Sequence, residues 1–232
     1  MSALHVLSAG AAQSLIETLR REFGEAEAIE VRASFHPVRV TLDKLLAGEP
    51  CDLVVLTTAL LDEMARSGDV RPDSIASLGR VETAIAVRAG DAAPDVATAA
   101  ALRLAFLAAD AIYLPDTERS TAGAHCAAML RAMGIMDTAA PKLLAYANGA
   151  MAMAALAQSR AARPLGCTQV TEIAFTPGVV AVGPLPGEFG LATRYGVAVA
   201  ARAQQADAAA RFAALLAGPA SRELRRSCGF EE

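Results

Sequence analysis

The sequence predicts an α/β protein of two lobes, each a sheet flanked by helices, with two extended strands joining them. Three observations lead there. From residue 4 onward, short apolar runs alternate with stretches of helical period, the mark of a largely parallel sheet. The same unit of strand, small-residue loop and helix recurs after residue 110. Two longer alternating segments, Gly79 to Gly90 and Thr193 to Ala200, are placed to carry the chain out of the first lobe and back into it. Lobes joined in this way share a hinge, and a cleft between them can close on a ligand. The expected division is residues 1–82 with 195–232 in lobe 1 and residues 83–194 in lobe 2.

The first strand, Leu4 to Leu7, breaks at Ser8-Ala9-Gly10-Ala11-Ala12-Gln13-Ser14 and passes into an amphipathic helix over about Gln13 to Phe23. Unpaired N–H groups of a first helical turn point back at such a break, and small side chains let an anion approach them. Ser8, Gly10 and Ala11 are therefore candidate ligand contacts. The loop has neither the Gly-Lys-Ser/Thr of a P-loop nor the further glycines of a dinucleotide fingerprint, which disfavours a nucleotide phosphate. A second strand, Ile29 to Ser34, leads through Phe35-His36-Pro37 to a helix over about Val38 to Ala47. A third, Asp52 to Leu56, leads through Thr57 and Thr58 to a helix from about Ala59 to Ser67. Ligands of parallel sheets sit beyond the carboxyl ends of the strands, so the turns at 8–11, 35–39 and 57–58 are expected to line one crevice.

In the second lobe a strand near Ala111 to Leu114 meets the polar loop Pro115 to Gly123, where Ser120 or Thr121 caps a helix running through Met133. Another helix is expected from about Gly149 to Gln158, then strands at Leu165 to Gln169 and Val179 to Val182. Helices at Asp207 to Leu216 and Ala220 to Cys228 close the chain.

At 232 residues the chain can bury one large core or two small ones. Its apolar fraction of 54% comes largely from alanine, and its formal net charge is −4. With no Lys/Arg-rich block, nucleic acid is not an expected partner, and any anion must be held by local dipoles and a few placed side chains. Membrane insertion is not expected either, because the alanine-rich stretch from Val96 to Leu114 is cut by Arg103 and Asp110. Strand-like sequence starting at residue 4 leaves no room for a leader ahead of it. The expected location is periplasmic if a leader has been removed and cytoplasmic otherwise. Cys51, Cys126, Cys167 and Cys228 form no CxxC pair, so they read as buried free thiols rather than zinc ligands.

With this organisation in place, a resemblance becomes specific. The residues that carry it are Val6-Leu7-Ser8-Ala9-Gly10-Ala11, the segment Ala47-Gly48-Glu49-Pro50-Cys51-Asp52-Leu53-Val54-Val55, Gly166 with Glu172, and the ending from Leu216-Ala217-Gly218-Pro219-Ala220 to Gly229-Phe230. Over nearly its whole length the chain resembles the bacterial periplasmic molybdate-binding proteins and their wider class of extracellular solute-binding proteins. The resemblance implies the two-lobed periplasmic-binding-protein fold of type II. That family takes serine hydroxyls from its first two turns to hold a tetrahedral oxyanion; here Ala11 and Pro37 or Val38 stand in their places, and Gln169 stands where a tyrosine is expected. The segments Leu7 to Ala11, Gly79-Arg80, Ala86 to Gly90, Leu165-Gly166, Gln169, Thr171 to Ile173 and Pro177 to Pro186 are closer to a branch similar to aconitate isomerase.

The candidate ligand residues follow. His36, in the second turn, is placed for ligand contact or proton transfer, or for capping a backbone group. Arg39 can fork onto a carboxylate or face solvent. Thr57 and Thr58 offer hydroxyls and helix-start N–H groups. Arg119, Ser120, Thr121 and Gly123 form the corresponding anchor in the second lobe. Asn148 and Gly149 open another helix with backbone donors, and Gln169 can both donate and accept. Glu172 braces the following segment or acts as a base, and His125 packs inside its helix. The expected function is capture of a small anion, an oxyanion or a di- or tricarboxylate, with delivery to an ABC permease. The alternative is a cofactor-independent isomerase of a tricarboxylate that moves an allylic proton, with His36 and Glu172 as its candidate acid and base. Neither reading requires a metal or an organic cofactor.

Overall fold

A computed structural model describes residues 3–232, so the first two residues of the expected first lobe lie outside the described residues. In chain order the chain forms β1 (Ala3–Ala9), α1 (Gln13–Glu27), β2 (Glu30–His36), α2 (Val38–Leu46), β3 (Leu53–Thr57), α3 (Thr58–Ser67) and β4 (Ala76–Arg88). There follow α4 (Ala99–Ala108), β5 (Ala111–Pro115), α5 (Thr121–Ala132), α6 (Met136–Ala139), β6 (Leu143–Tyr146), α7 (Gly149–Ala157), β7 (Pro164–Gln169), α8 (Val170–Phe175) and β8 (Val179–Pro184). The chain ends with β9 (Ala192–Val199), α9 (Ala206–Ala217) and α10 (Arg222–Ser227). Residues up to Val81 together with Thr193–Glu232 make one compact unit, and Glu82–Ala192 make the other.

In unit 1, β1 pairs in parallel with both β2 and β3, while β9 runs antiparallel to β3, with the first part of β4 beyond it. The sheet is mixed rather than parallel throughout because β9 returns to it from the opposite direction. Helix α1 buries Leu15, Ile16 and Phe23, residues that recur at helical spacing, and Phe23 packs on Phe212 of α9 with ring centroids 4.6 Å apart. It runs four residues past Phe23 and stops at Ala28, whose left-handed backbone turns its N–H onto the carbonyls of Gly24 and Glu25. On the other face α2 and α3 cover Leu7, Val54, Leu56 and Ala198 with Leu42, Leu61 and Met64.

In unit 2, β5 pairs in parallel with β6 and β7, and β4 runs antiparallel to β7 on one side and to β8 on the other. One core packs Phe106, Leu102, Met129 and Leu130 against Ile85, Ile112 and Cys167; the opposite face holds Met153, Leu156 and Ile173 against Ala84, Ala86 and Tyr113.

Several elements escape the sequence reading. The alanine-rich stretch read above for its hydropathy is helix α4, capped by Thr98 and burying Leu102, Ala105 and Phe106. Its weak amphipathicity, from alanine on every face, hid the period. Strand β6 is mostly exposed, so it has no inward and outward alternation to detect. Helix α8 has six residues, under two turns. The last helix begins at Arg222 after a 3-10 turn at Pro219–Ser221.

Candidate functional site

In unit 1 the parallel register brings three carboxyl ends to one edge. Ala9 at the end of β1 lies beside His36 at the end of β2, and Ser8 lies beside Val55, two residues before the end of β3. Each strand is followed by a helix, so the N-termini of α1, α2 and α3 gather there. Because β9 is antiparallel, its early residues join them: Tyr195 is opposite Thr57. Between β1 and α1 the chain makes a 3-10 turn at Gly10–Ala12; Ala11 and Ala12 are buried, and neither Ala9 nor Ala12 can cap with its side chain. Pro37 precedes α2, also without a side-chain cap. By contrast Thr57 caps α3, its Oγ1 accepting from the N–H of Leu60 at 3.4 Å, and Thr58 is the first helical residue.

Ser8 is fully buried and its hydroxyl donates to the Ala9 carbonyl at 2.8 Å, while its own carbonyl accepts from Thr41 Oγ1 at 3.2 Å. The Thr41 hydroxyl thus ties α2 to β1, while the Ser8 hydroxyl is turned back onto its own strand. His36 is half-buried, and its imidazole is held below the ordinary 6.5, first by desolvation and then by the positive charge of Lys44, with Glu49 opposing. Arg39 is exposed on the first turn of α2. Thr193, the second residue of β9, is buried, and its hydroxyl has no partner among the described residues.

In unit 2 the same construction recurs. The carboxyl ends of β5, β6 and β7 share an edge, followed by α5, α7 and α8, and antiparallel β4 places Thr83 directly opposite Gln169. Ser120 caps α5 through Gly123 N–H at 3.4 Å. Ahead of it Asp116 Oδ1 accepts from Glu118 N–H at 2.8 Å and Arg119 N–H at 2.9 Å, and these bonds hold the Asp116 carboxyl below its usual range. Arg119 itself is exposed, and Thr121 is half-buried at the start of α5. Gly123 is buried so close to the loop that a Cβ there would lie 2.2 Å from the Asp116 carbonyl oxygen. Its part is to seat α5 against the end of β5.

Two expectations change at α7. Asn148 caps Met151 N–H at 2.8 Å, but the N–H of Gly149, expected to serve a ligand, donates to Glu172 Oε1 at 3.1 Å. The other Glu172 oxygen accepts from the Thr168 hydroxyl. Glu172 is 7% exposed, and burial pushes its carboxyl up despite these hydrogen bonds. Glu172 thus occupies, from within the protein, the N–H that Gly149 was expected to offer a ligand. His125 Nε2 lies 2.8 Å from the Phe189 carbonyl oxygen, a packing contact inside unit 2.

Gln169 differs from all of these. It is 3% exposed at the end of β7, and neither its Oε1 nor its Nε2 has a partner among the described residues; the same holds for the hydroxyls of Thr83 and Thr171 beside it in sequence and register. Buried polar atoms of native proteins are nearly always paired, so this cluster marks the edge of unit 2 chemically. Thr83, Thr171 and Thr193 were not found by sequence reasoning, because an isolated threonine in a strand or at the start of a short helix carries no signal until register and burial are known.

A cavity of about 550 Å³ also lies in unit 1, lined among others by His5, Glu49, Cys51, Asp52, Asp69 and Arg202. It sits at the amino end of β3, away from the expected ligand residues. Asp52 there is satisfied by the N–H groups of His5, Gln204 and Gln205 at 2.7 to 2.9 Å. All four cysteines are free, and burial pushes the Cys51 thiol up to about 12, which leaves it inert. Among the described residues no group of three or more His, Cys, Asp or Glu is placed to hold a metal ion, and no helix is long and apolar enough to cross a membrane.

Comparison with known proteins agrees with this architecture. The structure is similar to the Azotobacter vinelandii periplasmic molybdate-binding protein, with a TM-score of 0.77, 15% identity and 99% of each chain covered. It is also similar to the sulfate-binding protein SubI of Mycobacterium tuberculosis H37Rv, with a TM-score of 0.73 and 16% identity, covering 99% of this chain and 86% of that one. These likenesses establish the periplasmic-binding-protein fold. In sequence the chain is 26% identical over 218 residues to an aconitate isomerase of a Pseudomonas species, covering 90% of this chain and 80% of that protein. The family model described as bacterial extracellular solute-binding protein matches residues 4–231, and so this chain, with its paired mixed sheets and their polar carboxyl edges, belongs to the bacterial extracellular solute-binding protein family.

Proposed function

We propose that this protein captures a small anion, an oxyanion or a di- or tricarboxylate, with donors drawn from the carboxyl edges of its sheets. The observation that carries the reading is the unpaired amide of Gln169, buried where a polar group without a partner costs about 1–3 kcal/mol and where a bound ligand repays that cost. On the same carboxyl edge of unit 2 lie the cap residues Ser120 and Thr121 with Arg119. In unit 1 the uncapped turn at Gly10 and Ala11, the start of α3 at Thr57 and Thr58, and Arg39 and His36 offer the same kind of chemistry. Neighbours of similar fold are named for molybdate and sulfate, which supports an anionic ligand. Membership of an extracellular solute-binding family supports a periplasmic setting and an ABC permease as the partner that receives the ligand.

A thermal-shift panel of molybdate, tungstate, sulfate, phosphate, citrate and cis- and trans-aconitate tests this. A ligand at one hundred times its Kd adds about 2.7 kcal/mol to the folded state. The expected result is a rise in Tm with at least one of these anions, and a flat panel would overturn the reading.

The 26% identity to an aconitate isomerase supports a second reading, a cofactor-independent proton shift on a clamped tricarboxylate. Its acid–base candidates are His36 and Glu172; an imidazole held below 6.5 is neutral, and able to take a proton, at pH 7. Proton NMR of cis-aconitate incubated with the protein decides between the readings. If turnover occurs, His36→Gln is expected to abolish it while leaving affinity within a few-fold.

A further inference from the structure

We propose that the ligand carries a hydrogen-bond donor beside its anionic oxygens, as a hydroxycarboxylate or a singly protonated oxyanion does. This rests on the anion-binding reading above and narrows it to a chemical class. The argument starts from the two ends of one side chain. A terminal amide has two N–H donors on its nitrogen and a pure acceptor in its oxygen, and turning it over exchanges their positions without removing either. In Gln169 both atoms are buried and neither has a partner among the described residues.

A fully ionised carboxylate, sulfate or molybdate is acceptor-only. It satisfies the amide nitrogen and leaves the amide oxygen facing another acceptor. The protein does not make up the difference. Thr83, directly opposite in the antiparallel pairing, and Thr171, two residues on, make no hydrogen bond to that oxygen. Thr168, on the same strand, donates its hydroxyl hydrogen bond to Glu172. A ligand hydroxyl supplies the missing donor, and its own oxygen can in turn accept from a threonine. Sites built to pair a hydroxyl reject the analogue that lacks it far better than apolar sites reject an extra methylene, because the protein's own polar group is left stranded.

Isothermal titration calorimetry of the full chain at pH 7 with matched pairs tests this: malate against succinate, citrate against tricarballylate, and hydrogen phosphate against sulfate. The donor-bearing member of at least one pair is expected to bind about tenfold or more tighter, the first two pairs reporting a hydroxycarboxylate and the third a protonated oxyanion. In Gln169→Leu, checked for folding by its melting curve, that preference is expected to fall to about twofold or less. Equal or tighter binding of the donor-free members to the wild-type protein overturns the inference while leaving anion capture standing. A preference that survives intact in folded Gln169→Leu also overturns it, since the donor is then read elsewhere. If no member of any pair binds, this inference fails, and the thermal-shift panel with molybdate, tungstate and the aconitates decides separately whether the anion-binding reading stands. The wild-type comparison needs no variant, so a poorly folding Gln169→Leu does not remove the test.

Discussion

At the scale of single residues, two titratable groups with perturbed surroundings, Glu172 and His36, make opposite predictions. Glu172 is buried and its carboxyl lies above the ordinary 4.5, so between 4.5 and that raised value the folded state binds more protons than the unfolded one. Its contribution is therefore largest below 4.5 and is lost as pH rises through the raised pKa. Glu172→Gln keeps an acceptor for Gly149 N–H and removes the titration. Urea unfolding at pH 4 and pH 8 is expected to show the wild type losing stability relative to this variant as pH rises. His36 is shifted the other way: its pKa is depressed, so its contribution is present above 6.5 and lost as pH falls through the folded value. An NMR titration of its ring is expected to give a midpoint below 6.5. Lys44→Ala should raise that midpoint, since Lys44 contributes to the depression, while burial keeps it under the unperturbed value. Neither shift was visible in the sequence, where His36 was a turn histidine and Glu172 an acid bracing the following segment or acting as a base.

At the scale of elements, the helix starts carry the argument, and they are not equivalent. Ser120 and Thr57 cap α5 and α3 through bonds of 3.4 Å, so Ser120→Ala or Thr57→Ala is expected to cost about 0.5–1 kcal/mol by urea unfolding, the low end for caps. Gly149→Ala is a different kind of change. Its Cβ would fall 1.9 Å from Glu172 Oε2 and 2.2 Å from Thr168 Oγ1, with Gly149 itself buried, so something in a packed polar cluster must move. That is expected to cost about 2–3 kcal/mol or more in the same experiment. Caps of this kind were legible because Ser, Thr and Asn before a helical period announce themselves. The pairing of Gly149 with Glu172 was not: they are 23 residues apart, and the strand β7 between them has to be laid beside β5 before they meet.

At the scale of the whole molecule, stability resides in the packed faces of each unit rather than in the surface ion pairs. Arg211 and Glu27 join α9 to α1 at 2.5 Å, yet both are solvent-exposed enough that water and salt screen the attraction. Phe212, on the same helix, is fully buried against Phe23. Arg211→Ala is expected to leave the urea midpoint nearly unchanged, whereas Phe212→Ala is expected to cost about 3–5 kcal/mol. A net charge of −4 gives the molecule no general attraction for anions, so capture depends on oriented local donors. Binding held by buried amides and N–H groups is expected to weaken less than about tenfold between 50 and 500 mM NaCl in a calorimetric titration.

The sequence by itself determined the class of fold and the family, because period, turn chemistry and short motifs are local properties that survive without coordinates. Leu4 to Ala11, the Thr57-Thr58 turn and the loop before Gly123 could each be read in isolation as strand, break and helix start. Tertiary structure alone decided which donors are already spent and which are stranded. The sheet register sets Thr83 against Gln169, folds Glu172 onto the start of α7 and turns the Ser8 hydroxyl back onto its own strand. Those outcomes depend on burial and on contacts between residues distant in sequence, where a hydrogen bond made or missed in the low-dielectric interior is worth far more than the same groups are in water.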